Sequence, residues 1–415
     1  MKQITTSHGT SQWATAWTRS EINDQLHRLL NLIKEELPTE PSARIVIKPN
    51  LNNDLNGLTG NSVDLRVLDA IVRQLKGFGY HNICIADGPN VGIERRGIDV
   101  FKRLGVRALC THHGIELIDL NSDLGIPYSL AAGAQPRIAR SILDADYIIS
   151  VPKIKTHCEA MLSCAMKNWV GICVGQDKRD MHLDLGQNIA LLNTHIKPNL
   201  IIVDGIIGME GNGPGDGTPI ALKQLIVSTK AHLNDLVVAN LMGLPINDIP
   251  YLMHAISIGD ISETLCMTVS EKVDPLTHIK RPPPRPKLAL LSEHHLLYPL
   301  KVAVRPLTEK PEVLDLAYQL GIVQDVYHPQ NATVQSIKRH SDRCGECTQC
   351  VDLCPTEVPL ERIGKEDPSC ILCLQCWWAC PTDALEWFGT RGHLHRHITK
   401  YRPVIRSLFD NPHSK

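Results

Sequence analysis

No uninterrupted apolar run in this sequence approaches the length of a membrane span, so no membrane-crossing helix is expected. Lys2, His8 and Trp13 open the chain in a polar setting that lacks the apolar core of a signal peptide. The expected home is therefore cytoplasmic and reducing. An excess of either charge is missing too. Lys and Arg number 43 against 44 Asp and Glu, a formal net charge of -1, and a general nucleic-acid binder would need a strong basic excess. The glycine-rich stretch Met209–Gly217 does not end in the Gly-Lys-Ser/Thr of a P-loop, nor does it read as a Rossmann fingerprint. No separate flavin or nicotinamide signature stands elsewhere. What remains, with 415 residues, 43% hydrophobic content and mean hydropathy of -0.10, is globular and long enough for two or three domains.

Cysteine is present in a pattern. Cys344, Cys347, Cys350 and Cys354 precede Pro355, and Cys370, Cys373, Cys376 and Cys380 precede Pro381. Each half reads C-x2-C-x2-C-x3-C-P, the run that binds a four-iron cluster in bacterial ferredoxins. Three thiolates at i, i+3 and i+6 wrap one cube, and in the two-cluster arrangement the fourth serves the other. That rule assigns Cys344, Cys347, Cys350 and Cys380 to one cluster, and Cys354, Cys370, Cys373 and Cys376 to the second. Zinc needs neither a third cysteine at the next x2 step nor the proline. Disulfides suit small secreted chains. Two 4Fe-4S clusters are the expectation. The remaining thiols fit no cluster run: Cys158, Cys164, Cys173, Cys84, Cys110 and Cys266 read as small buried residues.

Ahead of that module the chain alternates strands and helices. Leu26, Leu29, Leu30 and Ile33 recur at helical spacing in a lead-in that covers residues 1–42. Apolar strands at Ala43–Ile47, Asn82–Ala86, Tyr147–Val151 and Leu200–Val203 are separated by helical patterns such as Asp64–Gly77 and Asn188–His195. This order predicts an α/β domain with a mostly parallel sheet over residues 43–270. Pro275, Pro282, Pro283, Pro284 and Pro286 mark a connector over 271–342. A small α+β ferredoxin-like domain is expected over 343–390, with a basic tail over 391–415. From Cys344 to Thr390 eight acids face two bases, whereas the tail reverses the balance. The tail suits docking on that acidic module or on an acidic partner, but reads first as a solvated, partly mobile end, and His393, His395 and His397 within it read as solvated too.

Several strands deliver Lys, Asp or Asn at their carboxyl ends, the edge where open α/β sheets bind ligands. The densest group is Lys153, Lys155, His157, Lys167 and Asn168, with Gly171 beside them. Converging lysines suit a carboxylate or phosphate, and a buried lysine or histidine can move protons. Glu210, Asp204 and Asp87 are the acids expected to balance the charge. The stretches Ile47-Lys48-Pro49-Asn50-Leu51, Val151–His157, Ala165-Met166-Lys167-Asn168 and Asp204–Pro214 resemble the motifs of the family catalogued as domain of unknown function 362. The resemblance covers roughly residues 43–270, and members of that family are often fused to a ferredoxin-type domain. Ser163-Cys164 departs from the Thr-Gly that tends to precede the Ala-Met-Lys-Asn stretch in similar proteins.

Two readings follow. In the first, the protein is an iron–sulfur oxidoreductase: Lys153, Lys155, Lys167 and Asn168 hold an anionic small molecule. His157 or a lysine donates protons there, Glu210 contributes nearby, and the clusters carry electrons to or from an external partner. In the second, the protein is a non-catalytic electron carrier or assembly partner. Substrate-dependent reoxidation of reduced clusters separates the two.

Overall fold

The computed structural model describes residues 1–284, 327–328, 330–345 and 347–410. Most of the proline-marked connector lies outside the described residues.

Ten strands share one sheet. They are β1 (Lys2–Thr6), β2 (Gly9–Thr15), β3 (Ile45–Pro49), β4 (Ile83–Asp87), β5 (Glu116–Asp119), β8 (Tyr147–Val151), β9 (Lys153–His157), β10 (Met161–Ser163), β11 (Leu200–Glu210) and β12 (Thr218–Ser228). A separate antiparallel pair joins β6 (Gly125–Pro127) to β7 (Arg137–Ala139). The main order is β1-β2-β12-β11-β8-β3-β4-β5, with β9 and β10 branching from β11. Pairings from β11 through β8, β3 and β4 to β5 are parallel, and those among β11, β12, β2 and β1 are antiparallel. The sheet is mixed and largely parallel, as the alternating pattern implies.

Period-two alternation sorts the core onto two faces. Ile45, Ile47, Ile149 and Val151 face one layer, which contains Leu26 and Leu29 of helix α1 (Arg19–Leu32) and Leu68, Ile71 and Val72 of helix α2 (Leu65–Gly77). Val46, Ile148, Ile201 and Val203 face the other, against Ile189, Leu236, Val237, Tyr251 and Leu252. Thr18 and Glu21 close α1 with a reciprocal capping box. Asp64 caps α2 by accepting the Arg66 amide.

The polar start of the chain is a hairpin rather than a lead-in. β2 is hydrogen-bonded along β12, with Trp13 opposite Ile226, so its backbone polarity is satisfied by the sheet while Ser11 and Gln12 are buried alongside. β12 itself mixes Pro, Lys and Gln with apolar residues, which hides its periodicity.

The small C-terminal α+β domain pairs β13 (Thr333–Arg339) with β14 (Leu385–Thr390) around the cysteine segments. It packs on the α1–α2 face, burying Trp377 and Trp378 in the same core as α1. The basic tail is not a solvated end. Residues 394–410 form a helix that buries Leu394, Tyr401, Ile405 and Phe409, each burial stabilising by about 1.5–3 kcal/mol. Arg402 and Arg406 bind Asp383 at 2.6 and 2.8 Å, and the Arg402 guanidinium lies 3.8 Å over the Trp377 ring. Lys400 reaches across to Asp216 in the turn after β11. His393 is likewise buried, which pushes its imidazole down to about 3.

Close backbone approach fixes two glycines near the carboxyl edge of the sheet. Gly60 has φ +77°, and a Cβ there would collide with the Gly208 carbonyl. A Cβ on Gly213 would meet the Thr156 carbonyl in the same way. Gly60→Ala should therefore lower stability by about 1–3 kcal/mol in thermal or denaturant unfolding. Gly77→Ala, where nothing lies within 4 Å of the added methyl, should be neutral or slightly stabilising.

Candidate functional site

Four parallel strand ends and β9 bring the lysines together. β9 leaves the sheet edge just after β8 and pairs with β11, setting Lys153 opposite Asp204 and Lys155 opposite Met209. All five of its residues are buried, so Lys153, Lys155 and His157 are interior side chains rather than a solvent-facing exit.

Each buried ammonium finds specific acceptors. Lys153 Nζ donates to Asp204 Oδ2 at 2.7 Å. Lys155 Nζ donates to Asn50 Oδ1 at 2.8 Å and to the Asn61 carbonyl at 2.9 Å. Lys48, at the end of β3, pairs with Asp87 at 2.6 Å and donates to Asn168 Oδ1 at 3.0 Å. Burial nevertheless holds Lys48 below its ordinary value despite the pull of Asp87. Asn168 joins these groups: its amide donates to the Lys48 carbonyl and Ser150 Oγ, and its oxygen also accepts from Asn50. Of the acids expected to balance the lysines, Asp204 and Asp87 do so. Glu210 instead accepts the Lys280 amide at 2.9 Å and lies 3.8 Å from its ammonium.

His157 is held by its turn. Its Nδ1 accepts from the amides of Glu159 and Ala160 at 3.1 and 3.3 Å, which places any proton of the neutral ring on Nε2. Lys167 sits on the short helix Ala165–Asn168, whose first amides donate to Asp235 at 2.8 and 3.0 Å. Burial pushes the Lys167 amine down to about 8, partly opposed by Glu159 and Cys158, with Lys48 adding to the shift.

Several functional-looking groups escaped the sequence reading. Lys178 is buried and pushed down to about 8, chiefly by burial; it donates to Asn121 and to the Cys173 carbonyl at 2.6 Å. Gly171, already singled out beside the lysines in the sequence, lets the backbone close over the Lys48–Asp87 pair, since a Cβ would lie 2.5 Å from Lys48 Nζ. Asp235 is buried under the Lys167 helix, and burial holds its carboxyl above the usual range. Nothing in a lone Lys-Arg-Asp stretch or an Asn-Asp pair marks these residues. Their roles come from contacts across the sheet.

Asp64 joins the two domains. Burial alone would raise its carboxyl, but Arg66, at 2.7 Å, outweighs that and brings it to about 2. Its Oδ1 accepts from Gln375 Nε2 at 2.9 Å, a side chain lying between two cysteines. Its amide donates to Asp204 Oδ2 at 2.7 Å, the same oxygen that holds Lys153.

The cysteines of the two runs are neighbours in space, and their grouping is not exclusive, since Cys350 is also a neighbour of Cys376. Cys350, pushed up to about 11 by burial, has Cys347, Cys344 and Cys380 around it. Cys376 and Cys373, pushed further up by burial, have Cys354 and Cys370 as neighbours. Cys354, Cys370, Cys373 and Cys376 line one apolar cavity with Ile337, Val358, Ile363 and Ile371. Backbone amides turn towards the sulfurs, including Val358 to Cys354 at 3.4 Å and Gln375 to Cys373. Among the described residues, no group of three or more His, Cys, Asp or Glu is arranged to hold a metal ion at one point. All fourteen cysteines are free of disulfides.

This architecture defines an α/β protein with an appended domain of ferredoxin type. Residues 45–240 match the family described as domain of unknown function (DUF362), and residues 367–386 match the 4Fe-4S binding domain family. The chain thus carries a DUF362 domain joined to a 4Fe-4S ferredoxin-type domain. A thylakoid-associated protein of Synechocystis sp. is 28% identical over 253 residues, covering 58% of this chain and 74% of that protein. Two solved structures show a distant, partial likeness. The lactate racemase apoprotein of Thermoanaerobacterium thermosaccharolyticum has TM-score 0.28 at 10% identity, covering 54% of this chain and 56% of its own. A Thermotoga maritima protein has TM-score 0.33 at 13% identity, covering 63% and 61%. The chain thus spans a little over half the length of these solved structures, and likeness at this level does not bear on the chemistry. Among the described residues, no helix is long and apolar enough to cross a membrane.

Breaking one half of a buried ion pair strands the other charge. Asp204→Asn should cost about 3–5 kcal/mol in unfolding experiments, and combining it with Lys153→Met should recover much of that loss. Asp64 sets an acid limit. Its carboxyl is lower when folded than the ordinary value of 3.8, so its contribution is present above that value and fades as pH falls through about 2. Asp64→Asn should flatten the pH dependence of unfolding in that window.

Proposed function

We propose that this chain is an iron–sulfur redox protein relaying single electrons between a partner protein and an anionic small molecule bound at the carboxyl edge of the α/β sheet. Cys344, Cys347, Cys350 and Cys380 would hold one four-iron cluster, and Cys354, Cys370, Cys373 and Cys376 the other. Four thiols disposed around a cavity, with amides donating to sulfur, suit a cube whose ligands sit at its corners. When bound, such clusters supply one-electron transfer, usually at low potential. A reducing, cytoplasmic setting suits them.

The observation that carries this reading is the junction at Asp64. Gln375, between ligands Cys373 and Cys376, binds the carboxylate whose own amide binds the Asp204–Lys153 pair. The cysteine set containing Cys373 is thereby the one placed against the lysine-lined edge. Lys153 and Lys48 are neutralised by Asp204 and Asp87 and shape the site. Lys155, held by Asn50 and the Asn61 carbonyl, and Lys167 are the cations whose charge a ligand would meet, with Asn168 fixing their surroundings. His157 offers the Nε2 side of its ring as a proton donor. Glu210 serves instead to pin the segment at Lys280.

A second reading draws on the same pairs. Lysines already satisfied by internal carboxylates also fit an electron carrier whose α/β domain binds a protein and catalyses nothing. Anaerobic reoxidation of the dithionite-reduced protein by a panel of small carboxylates and phosphates separates the two: one active anion supports the enzyme, and uniform inertness supports the carrier.

Protein prepared without oxygen should contain about eight irons and eight sulfides per chain. Cys373→Ala should remove about half of the iron. Zinc in stoichiometric amount, with no iron taken up on reconstitution, would overturn the cluster assignment.

A further inference from the structure

The two halves of the cysteine domain meet charges of opposite sign. On the side of the α/β domain, Gln375 stands between Cys373 and Cys376, and its Nε2 donates to Asp64 Oδ1 at 2.9 Å, with both side chains buried. The backbones are close there as well, since a Cβ on Gly105 would lie 3.3 Å from Cys373 Cβ. Asp64 thus presents a carboxylate to the set formed by Cys354, Cys370, Cys373 and Cys376, and its charge reaches the Cys373 sulfur. Arg66 pairs with that carboxylate at 2.7 Å, but its Nη1 donates to the Trp17 carbonyl at 2.7 Å rather than to the cysteine segments.

The tail helix brings the other sign to Cys380. Arg402 Nη2 donates to the Trp377 carbonyl at 3.3 Å and Arg406 Nη2 to the Pro381 carbonyl, so the two guanidiniums bracket that cysteine along the chain. Both share the carboxylate of Asp383, which leaves one positive charge of the trio uncompensated. Arg402 and Cys380 are close enough to act on each other electrostatically. Cys380 belongs with Cys344, Cys347 and Cys350 in the assignment above.

The loop that carries Cys373 is fixed. Leu372 and Leu374 flank it at φ +53° and +63°, left-handed conformations that such residues keep only where their surroundings impose them. An added electron makes a cluster more negative, so a nearby anion opposes reduction and a nearby cation favours it. Backbone amides pull the other way. Those of Val358, Leu372 and Gln375 donate to sulfurs of the set beside Asp64, and that of Val351 donates to Cys350. A full charge in the interior acts over a longer range than a peptide dipole, so the charges decide the order.

We propose that Asp64 lowers the reduction potential of the cluster held by Cys354, Cys370, Cys373 and Cys376, while Arg402 and Arg406 raise that of the other. The lower-potential centre then lies against the α/β domain. This ordering rests on the two-cluster reading above and deepens it. The more strongly reducing electron is the one beside the lysine-lined edge, and the centre with the higher potential is the one under the tail helix. Asp64, Arg402 and Arg406 act through the cluster ligands and are positioning residues.

Potentiometric titration of the whole cluster-loaded protein, followed by EPR without oxygen, should show two one-electron steps. Cys373→Ala should abolish the lower one, which assigns it. Asp64→Asn should raise the reduced-to-oxidised ratio of that step on the order of tenfold at a fixed potential and leave the upper step in place. The double substitution Asp64→Asn with Arg66→Gln strands no charge, and should move the same step the same way by less. Arg402→Gln, at a partly exposed site, should lower the upper step alone. Steps that coincide in the unaltered protein would overturn the proposal, as would loss of the upper step in Cys373→Ala. So would equal movement of both steps in Asp64→Asn or Arg402→Gln, or a double variant that titrates like the unaltered protein. A chain that takes up no iron and shows no step sinks the cluster reading itself. If the steps respond as stated and no anion reoxidises the protein, this ordering stands and the anion leaves the redox reading.

Discussion

The carboxylate of Asp64 is the point on which the two domains depend. It is fully buried, and a buried charge is tolerable only when paired and hydrogen-bonded on every side. Here Arg66 neutralises it, Gln375 donates from the cysteine domain, and its own amide reaches Asp204. One residue thus caps a helix, anchors the neighbouring domain and orients the acid opposite Lys153. An apolar residue would serve packing alone, but would leave Arg66, Gln375 and the register of the junction unspecified.

The lysine-lined edge follows the same rule of satisfied charge, with one departure. Four ammonium groups, of Lys48, Lys153, Lys155 and Lys178, are matched to carboxylates or amide oxygens inside the fold, and glycines at positions 88 and 171 let the chain close over two of them. These pairs are architecture first. Lys167 departs from the pattern, a half-buried side chain on a turn whose amides are clamped by Asp235. Local rules broken within an otherwise consistent interior are where chemistry is expected.

Much of this was legible in the sequence, for reasons that differ by residue. The cysteine spacing is a local chemical constraint, so the ferredoxin-type segment could be read directly, as the match over residues 367–386 bears out. The parallel strands announced themselves because buried strands are continuous apolar runs, as at Ile45–Ile47 and Leu200–Val203. β2 and β12 stayed hidden because their inward and outward faces both carry polar groups. The tail was misread from its charges. Its buried positions, Leu394, Tyr401, Ile405 and Phe409, keep helical spacing, but Pro403 interrupts the pattern. Gln375 and Asp64 are 311 residues apart, and no local pattern foretells such a bond.

That hairpin at the front of the chain has a consequence for synthesis. Trp13 is paired with Ile226, 213 residues later by subtraction of the two positions. At roughly 5–20 residues per second the ribosome needs on the order of 10–40 s to supply the partner strand. Until then β2 presents an open row of amides and carbonyls, the kind of edge that recruits foreign strands. The core layer to which α1 belongs is completed later still, because Trp377, Trp378 and Phe409, which share that core, are made near the end. On the proposed reading, in which the cysteine segments take up iron, that uptake would fall at the same last packing step and would bear on how soon residues made first are shielded.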